Sequence, residues 1–448
     1  MFPALSESPR LRILTLCLLY LAQGLPWGFV TYTLAAWFAE QGMGTAELGA
    51  ALGITSLPWS IKFLWGPVID RWTAPSFGRR RPWILLAQGL MFVTVLGILA
   101  VPDLMGNIKV LVGLLFLHNC FAALQDVAVD ALAVDLLEEK ERGTANGLMY
   151  GSKYLGGGLG GAGLSKVMAA SSLTWAILAQ GVILAVIFLF PLFLRERPRD
   201  RTLPFGKPLR VDEIDDGPRP DFAEGPQAPP SDTYTPLALP ALLKLLLKVF
   251  RLRSPALGAA FALVATMAAG GLGVIATVFF VQELGWGDTE YAEFAGGPAL
   301  GMGLGGAIFG GWLADKIGRK PVVIGASVLL GVSYLAFAAA QPYWDVKMVT
   351  KGFLLAEPLF MSIMAGGLFA LCMDLSLPAI AATQFTAYMA LSNLSSSLGQ
   401  MLGGQVGEML SYPTLFAGAG VVQILVALLI VPIRPLQARE ELGQDGSA

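Results

Sequence analysis

The chain has 448 residues, of which 55% are hydrophobic and only 14% charged, with a mean hydropathy of +0.64. Soluble globular chains carry about 25% charged residues, so most of this polypeptide faces something other than water. The formal net charge of −2 points to no polyionic partner, and none is expected among nucleic acids.

Crossing a ~30 Å hydrocarbon core takes about 20 apolar residues. Twelve such runs occur, at about 11–38, 47–69, 83–101, 108–135, 144–167, 173–194, 256–281, 291–314, 321–340, 348–374, 379–407 and 412–433. They predict an all-α membrane protein with twelve transmembrane helices. The first run is too long, and lacks a clean small-residue cleavage site, for a removable signal peptide. Cys17, Cys120 and Cys372 lie inside runs and read as small hydrophobes, with no disulfide or metal spacing.

After the second run comes GPVIDRWTAPSFGRRRP, from Gly66 to Pro82. The fourth run holds HNCFAALQDVAVDALAVD, with the only histidine of the chain. At 3.6 residues per turn His118, Ala122, Asp126 and Asp130 form one stripe about 18 Å long. An ionised side chain at the bilayer centre costs at least ~3 kcal/mol, so Asp126 and Asp130 are expected to face a central cavity. Two acids a turn apart in low dielectric favour sharing a proton.

Beyond the sixth run, Arg195 to Pro236 contains nine prolines and little that packs, as expected of a disordered linker. LALPALLKLLLKVFRLR follows, with Lys244, Lys248 and Arg251 on one face of a Leu-rich helix, a pattern that suits the membrane interface. The expected domains are a six-helix bundle over 1–194, a cytoplasmic linker with interfacial helix over 195–253, a second bundle over 254–433 and a polar cytoplasmic tail over 434–448. With the N-terminus inside, 24 of the 30 Lys and Arg fall on the cytoplasmic side. Only Lys109, Lys166, Lys347 and Lys351 fall outside, and Lys62 and Lys153 are intramembrane. That asymmetry predicts both termini in the cytoplasm.

The halves repeat. ALAVD ends at Asp135 and ALCMD at Asp374, 239 residues on, and the same offset superposes Thr144 on Thr383, Leu155 on Leu394 and Gly160 on Gly399. Such a 6+6 duplication builds many secondary transporters. The loop after the second run of each half resembles the signature of the major facilitator superfamily, Gly-x-x-x-Asp-Arg/Lys-x-Gly-Arg/Lys-Arg/Lys. The second copy (Gly311, Asp315, Lys316, Gly318, Arg319, Lys320) fits throughout; the first (Gly66, Asp70, Arg71, Gly78, Arg79, Arg80) carries a longer insert. KFLWGPVIDRW…FGRRRPW, the later QDVAVDALAVD, ATQF from Ala382 and a basic residue at Lys153 together resemble the AmpG-type muropeptide permeases, with the related acetyl-CoA transporters next. Permeases of that type carry further helices at the C-terminus, whereas a short polar tail follows the twelfth run here.

The resemblance implies a pseudo-twofold 6+6 fold. It implies a secondary active transporter in the bacterial inner membrane, a monomer importing a small anionic metabolite with protons by alternating access. Anhydromuropeptides (GlcNAc-anhydroMurNAc peptides) lead as substrate. Acetyl-CoA or another anionic metabolite is the alternative, as is a non-transporting assembly factor on the same fold. It further implies that Asp70 and Asp315 latch neighbouring helices while the cytoplasmic side is closed. With one histidine and no HExxH or GxSxG, no intramembrane enzyme, metal or cofactor is expected.

Individual polar residues carry two readings each. Asp126 and Lys153 lie at matching depth, about 15 and 13 Å from the cytoplasmic ends of consecutive helices. They form either a salt bridge tying runs four and five, or a site where protonating the acid frees Lys153 for a substrate carboxylate or phosphate. Lys62 either snorkels or joins the site. Glu357, before Pro358, either serves as a second coupling acid or caps a kink. His118 reads first as a satisfied structural imidazole, otherwise as a proton relay. Gln125, Tyr154, Gln384 and Asn393 are candidate hydrogen-bond donors to a sugar or peptide. The small-xxx-small patterns at Gly156/Gly160, Gly157/Gly161 and Gly297/Gly301/Gly305 predict close helix approach, with runs five and eight meeting between the halves.

Overall fold

The computed structural model describes residues 4–72, 77–198, 200–201 and 239–442. Among them, twelve long helical segments match the twelve apolar runs. In the first half these are α1 (Pro9–Glu40), α2 (45–71), α3 (Arg81–Ala100), α4 (Ile108–Leu136), α5 (139–170) and α6 (Leu173–Phe193). A short helix, α7 (Leu239–Phe250), precedes α8 (Arg253–Glu283), α9 (288–317), α10 (Arg319–Ala339), α11 (Lys347–Leu375), α12 (Ala381–Gly407) and α13 (Tyr412–Ile430). A terminal turn of helix, α14, covers Gln437–Leu442.

Eight of the twelve, α1, α3, α4, α6, α8, α10, α11 and α13, are long and apolar enough to cross a membrane. The other four, α2, α5, α9 and α12, are less apolar for a reason the packing makes clear: they meet between the halves. There leucine gives way to glycine and serine so that backbones can touch. A Cβ on Gly49 of α2 would run into the Gln400 carbonyl of α12, and one on Gly161 of α5 would lie 2.9 Å from Cα of Gly296 of α9. The stripe expected at Gly297, Gly301 and Gly305 is not the one used for the tightest packing. Gly301 and Gly305 have open space, and Gly303, Gly306 and Gly310 pack on Pro358, Leu359 and Ile363 of α11 instead.

α2 and α12 run antiparallel, with Gly49 against Gly404, Gly53 against Met401 and Trp59 bonded to Asn393. Asp70, at the end of α2, therefore lies at the same end of the bundle as Asp374 and Arg319. At that end the repeat reappears in charge. Arg80 pairs with Asp135 at 2.9 Å and Arg319 pairs with Asp374, both residues of the second pair lying 239 beyond those of the first. Arg80 also holds Asp70 at 2.6 Å. Among the described residues these pairs stay within one half. Among the described residues Asp315 makes no ion pair, and Arg319 turns to Asp374.

The linker begins later than expected. Arg195 and Glu196 are ordered, and the Glu196 carboxylate accepts the backbone N–H groups of Arg79 (2.9 Å), Arg80 (2.7 Å) and Arg81 at the start of α3. Those donors have no intrahelical partner, so a buried anion there satisfies them and complements the helix dipole. Burial pushes the Glu196 carboxyl up, while the three N–H bonds pull it back. Gly78 sits at φ +116°, and a Cβ there would lie 2.9 Å from the Glu196 carboxyl carbon. The N-terminal segment joins the knot through Leu5 N–H to Arg195 O, 2.8 Å, and Ser6 N–H to Glu196 O, 3.0 Å. Glu196→Ala is therefore expected to cost about 2–3 kcal/mol, the loss of several hydrogen bonds to a charged group. A clear drop in detergent melting temperature checks this, and unchanged melting would remove the knot from the account. The remainder of the expected linker, 202–238, lies outside the described residues.

α7 forms as a helix, and one of its faces is covered by protein. Val249 and the partly buried Leu242, Leu245, Leu246 and Leu252 pack on Leu377, Ile380 and Ala438, which docks one face of the helix on the second half.

Candidate functional site

Three helices of the first half, α2, α4 and α5, bring the predicted Lys62, Asp126, Asp130 and Lys153 together, and α1 adds Tyr20. α4 is one unbroken helix, so Asp126 and Asp130 do lie one turn apart on one side. α2 is not continuous. Pro58 opens a 3-10 turn at Leu57–Ser60, and a second covers Lys62–Leu64. A 3-10 helix has three residues per turn, which stacks Trp59 on the same face as Lys62.

That break changes the ion pairing. Asp126 pairs with Lys62 at 2.7 Å, with side-chain exposures of 6% and 17%, rather than with Lys153. Lys62 thus reaches inward instead of snorkelling. Lys153 places its ammonium over the Trp59 ring, 4.9 Å from the centroid, and has no carboxylate ion pair among the described residues. The ring is 5.8 Å from the Lys62 ammonium, so one indole neighbours both cations. Its Nε1–H donates to Asn119 Oδ1 at 2.8 Å, which fixes the ring plane. Asp130 accepts from the Tyr20 hydroxyl, and Tyr20 meets Tyr150 edge-on at 5.8 Å.

The second half contributes Asn393, whose Nδ2 donates to the Trp59 carbonyl at 2.9 Å. This bond joins the halves at the level of the site. Glu357 of α11 accepts from Tyr334 at 3.4 Å and has no ion pair among the described residues. α11 runs through Pro358 as a single helix.

Other predicted residues sit elsewhere. Gln125 points away from the acids and donates to Leu19 O at 2.9 Å, tying α4 to α1. Gln384 is fully buried, bonded to the Leu377 N–H, Leu375 O and Tyr388 hydroxyl, and closes the turn between α11 and α12. His118 shares a hydrogen bond with Thr94 at 3.0 Å in a buried position. Tyr154 is half-buried on α5, one residue after Lys153. Trp59, Tyr20, Tyr150 and Asn119 were not anticipated. The signal for Trp59 was present in the sequence, since Pro58 inside an apolar run marks a local break.

Removing one partner of a buried pair leaves an uncompensated charge, at about 3 kcal/mol or more. Asp126→Asn is therefore expected to lower stability by roughly that amount, and Lys62→Met/Asp126→Asn to recover much of it. Additive losses in a detergent melting series would contradict the pairing.

The halves touch chiefly at one end. Gln282 of α8 donates to Ala39 O (2.8 Å) and Met43 O (3.0 Å), Glu408 accepts from Ala46 N–H at 3.2 Å, and Lys166 pairs with Glu293 at 3.6 Å. These residues lie at the opposite end from Asp70 and Arg319.

Comparison with known proteins follows the same lines. The family model of the Major Facilitator Superfamily matches residues 16–399 and 259–447. The anhydromuropeptide permease of Escherichia coli (strain K12) is 27% identical over 439 residues, which cover 95% of this chain and 80% of that protein. Among solved structures, a D-xylose-proton symporter superposes with a TM-score of 0.71 at 14% identity, covering 94% of this chain and 97% of its own. The nucleoside transporter NupG gives 0.65 at 14% identity over 94% and 98%. At those identities the structural likeness speaks for the fold alone.

Proposed function

We propose that this chain, which belongs to the major facilitator superfamily, is a proton-coupled importer of anionic anhydromuropeptides. Membership makes it a multi-pass membrane transporter and not an enzyme. Substrate, coupling and orientation are our reading.

One observation carries the substrate charge. Lys153 is a half-buried cation whose described partner is an aromatic face, while the neighbouring cation Lys62 is matched by Asp126. A lysine held by cation–π contact alone keeps donors free for a carboxylate or phosphate. The likeness to the Escherichia coli permease over nearly the whole chain supports an anhydromuropeptide as the bearer of that carboxylate. We take all twelve helical segments as spans with both termini cytoplasmic, in the bacterial inner membrane. On that orientation the contacts between halves close the outer end, and the site opens to the cytoplasm.

Reconstituted protein tests this directly. Anhydromuropeptide binding with concentrative uptake under a pH gradient supports the reading. Preferential binding of acetyl-CoA replaces the substrate but keeps the anion site. Absence of flux with both ligands favours a non-transporting assembly factor.

A further inference from the structure

A second surface lies outside the central polar cluster. α7 turns about 100° per residue, so its surface divides into three strips. Leu242, Leu245, Leu246, Val249 and Leu252 form the docked strip. Next round the helix come Phe250, Leu243 and Leu247, the two leucines exposed. Beyond them lie Lys244 and, on the turn that continues past the end of α7, Arg251, both exposed. The apolar strip continues into a cavity of ≈ 500 Å³ in which Phe250 meets Phe63 of α2, Ala256 and Ala259 of α8, and Leu391 and Leu394 of α12. The walls are almost wholly apolar, and the 3-10 turn of α2 sets this face (Ser60, Phe63) apart from the Trp59–Lys62 face that lines the transport site.

We propose that this groove and the adjoining face of α7 bind an anionic phospholipid. An acyl chain fills the groove between Phe63, Phe250 and Leu391 and passes over Leu243 and Leu247, and the headgroup phosphate meets Lys244 and Arg251. A docked helix presenting adjacent apolar and cationic strips matches the boundary between acyl chains and anionic headgroups. The apolar cavity beside it gives the chain a defined place, which a soluble phosphate cannot use. The inference is independent of the transported substrate.

The test uses the full chain in detergent, with native mass spectrometry of phosphatidylglycerol against phosphatidylcholine of the same acyl chains. Each basic residue at an anionic surface contributes about fivefold, so phosphatidylglycerol is expected to bind about 25-fold tighter. Lys244→Gln/Arg251→Gln removes that preference and leaves phosphatidylcholine binding unchanged; Lys244→Arg/Arg251→Lys retains it. Filling the groove with Leu391→Trp or, separately, Ala387→Phe weakens both lipids while melting stays at the wild-type value. Equal binding of the two lipids, a preference that survives the double Gln variant, unchanged retention in both filled-groove variants, or displacement of lipid by inorganic phosphate each overturns the proposal.

Discussion

Lys153→Met is expected to lower uptake on the order of 100-fold, the loss of about 3 kcal/mol carried by a hydrogen bond to a charged group. Lys153→Arg should keep part of the activity, since a guanidinium also stacks on indole and also binds a carboxylate. The variant should remain folded, because Lys153 closes no ion pair among the described residues and its ammonium rests on the Trp59 ring. Monodisperse, normally melting Met protein without substrate binding is the supporting result. Equal loss of folding in Met and Arg would make Lys153 a packing residue. Trp59→Phe offers an independent check. It retains a π face but loses the bond to Asn119, and should weaken binding less than Lys153→Met does.

Asp130→Asn is expected to abolish concentrative uptake and to spare counterflow between preloaded vesicles, because exchange requires no net proton movement. The sequence favours Asp126 as the coupling acid, being deeper and level with Lys153. The structure commits Asp126 to Lys62, and a paired carboxylate is ill placed to carry a proton through the cycle. Asp130 keeps a hydroxyl partner, Tyr20, and no ion pair among the described residues, so we assign the proton to it. Each net charge moved through the membrane potential is worth ~2.3 kcal/mol per 100 mV, so a proton carried with a singly charged anion draws on the pH gradient alone. If Asp130→Asn still concentrates substrate and an uncoupler still collapses it, Glu357 becomes the coupling acid, being likewise without an ion pair among the described residues.

Much of this was written in one dimension. Twelve apolar runs, the 239-residue offset and the signature loops settle an all-helical, duplicated membrane fold, because burial in hydrocarbon demands length and hydropathy that any window of sequence displays. The acids of α4 were equally legible, since an i, i+4 spacing on a continuous helix fixes a shared face. Partner choice was not. Lys62 takes Asp126 because a two-step 3-10 break in α2 rotates it inward, and depth along ideal helices, the only measure a sequence offers, ranked Lys153 instead. Gln125 and Gln384 looked like donors to a ligand, yet they satisfy backbone carbonyls of neighbouring segments. Glu196 reads as part of a polar linker, and only tertiary folding delivers three N–H donors from more than 100 residues away. Local periodicity dictates helices and faces. Which side chains meet depends on how helices break and cross, and that is decided by close packing between segments far apart in the chain.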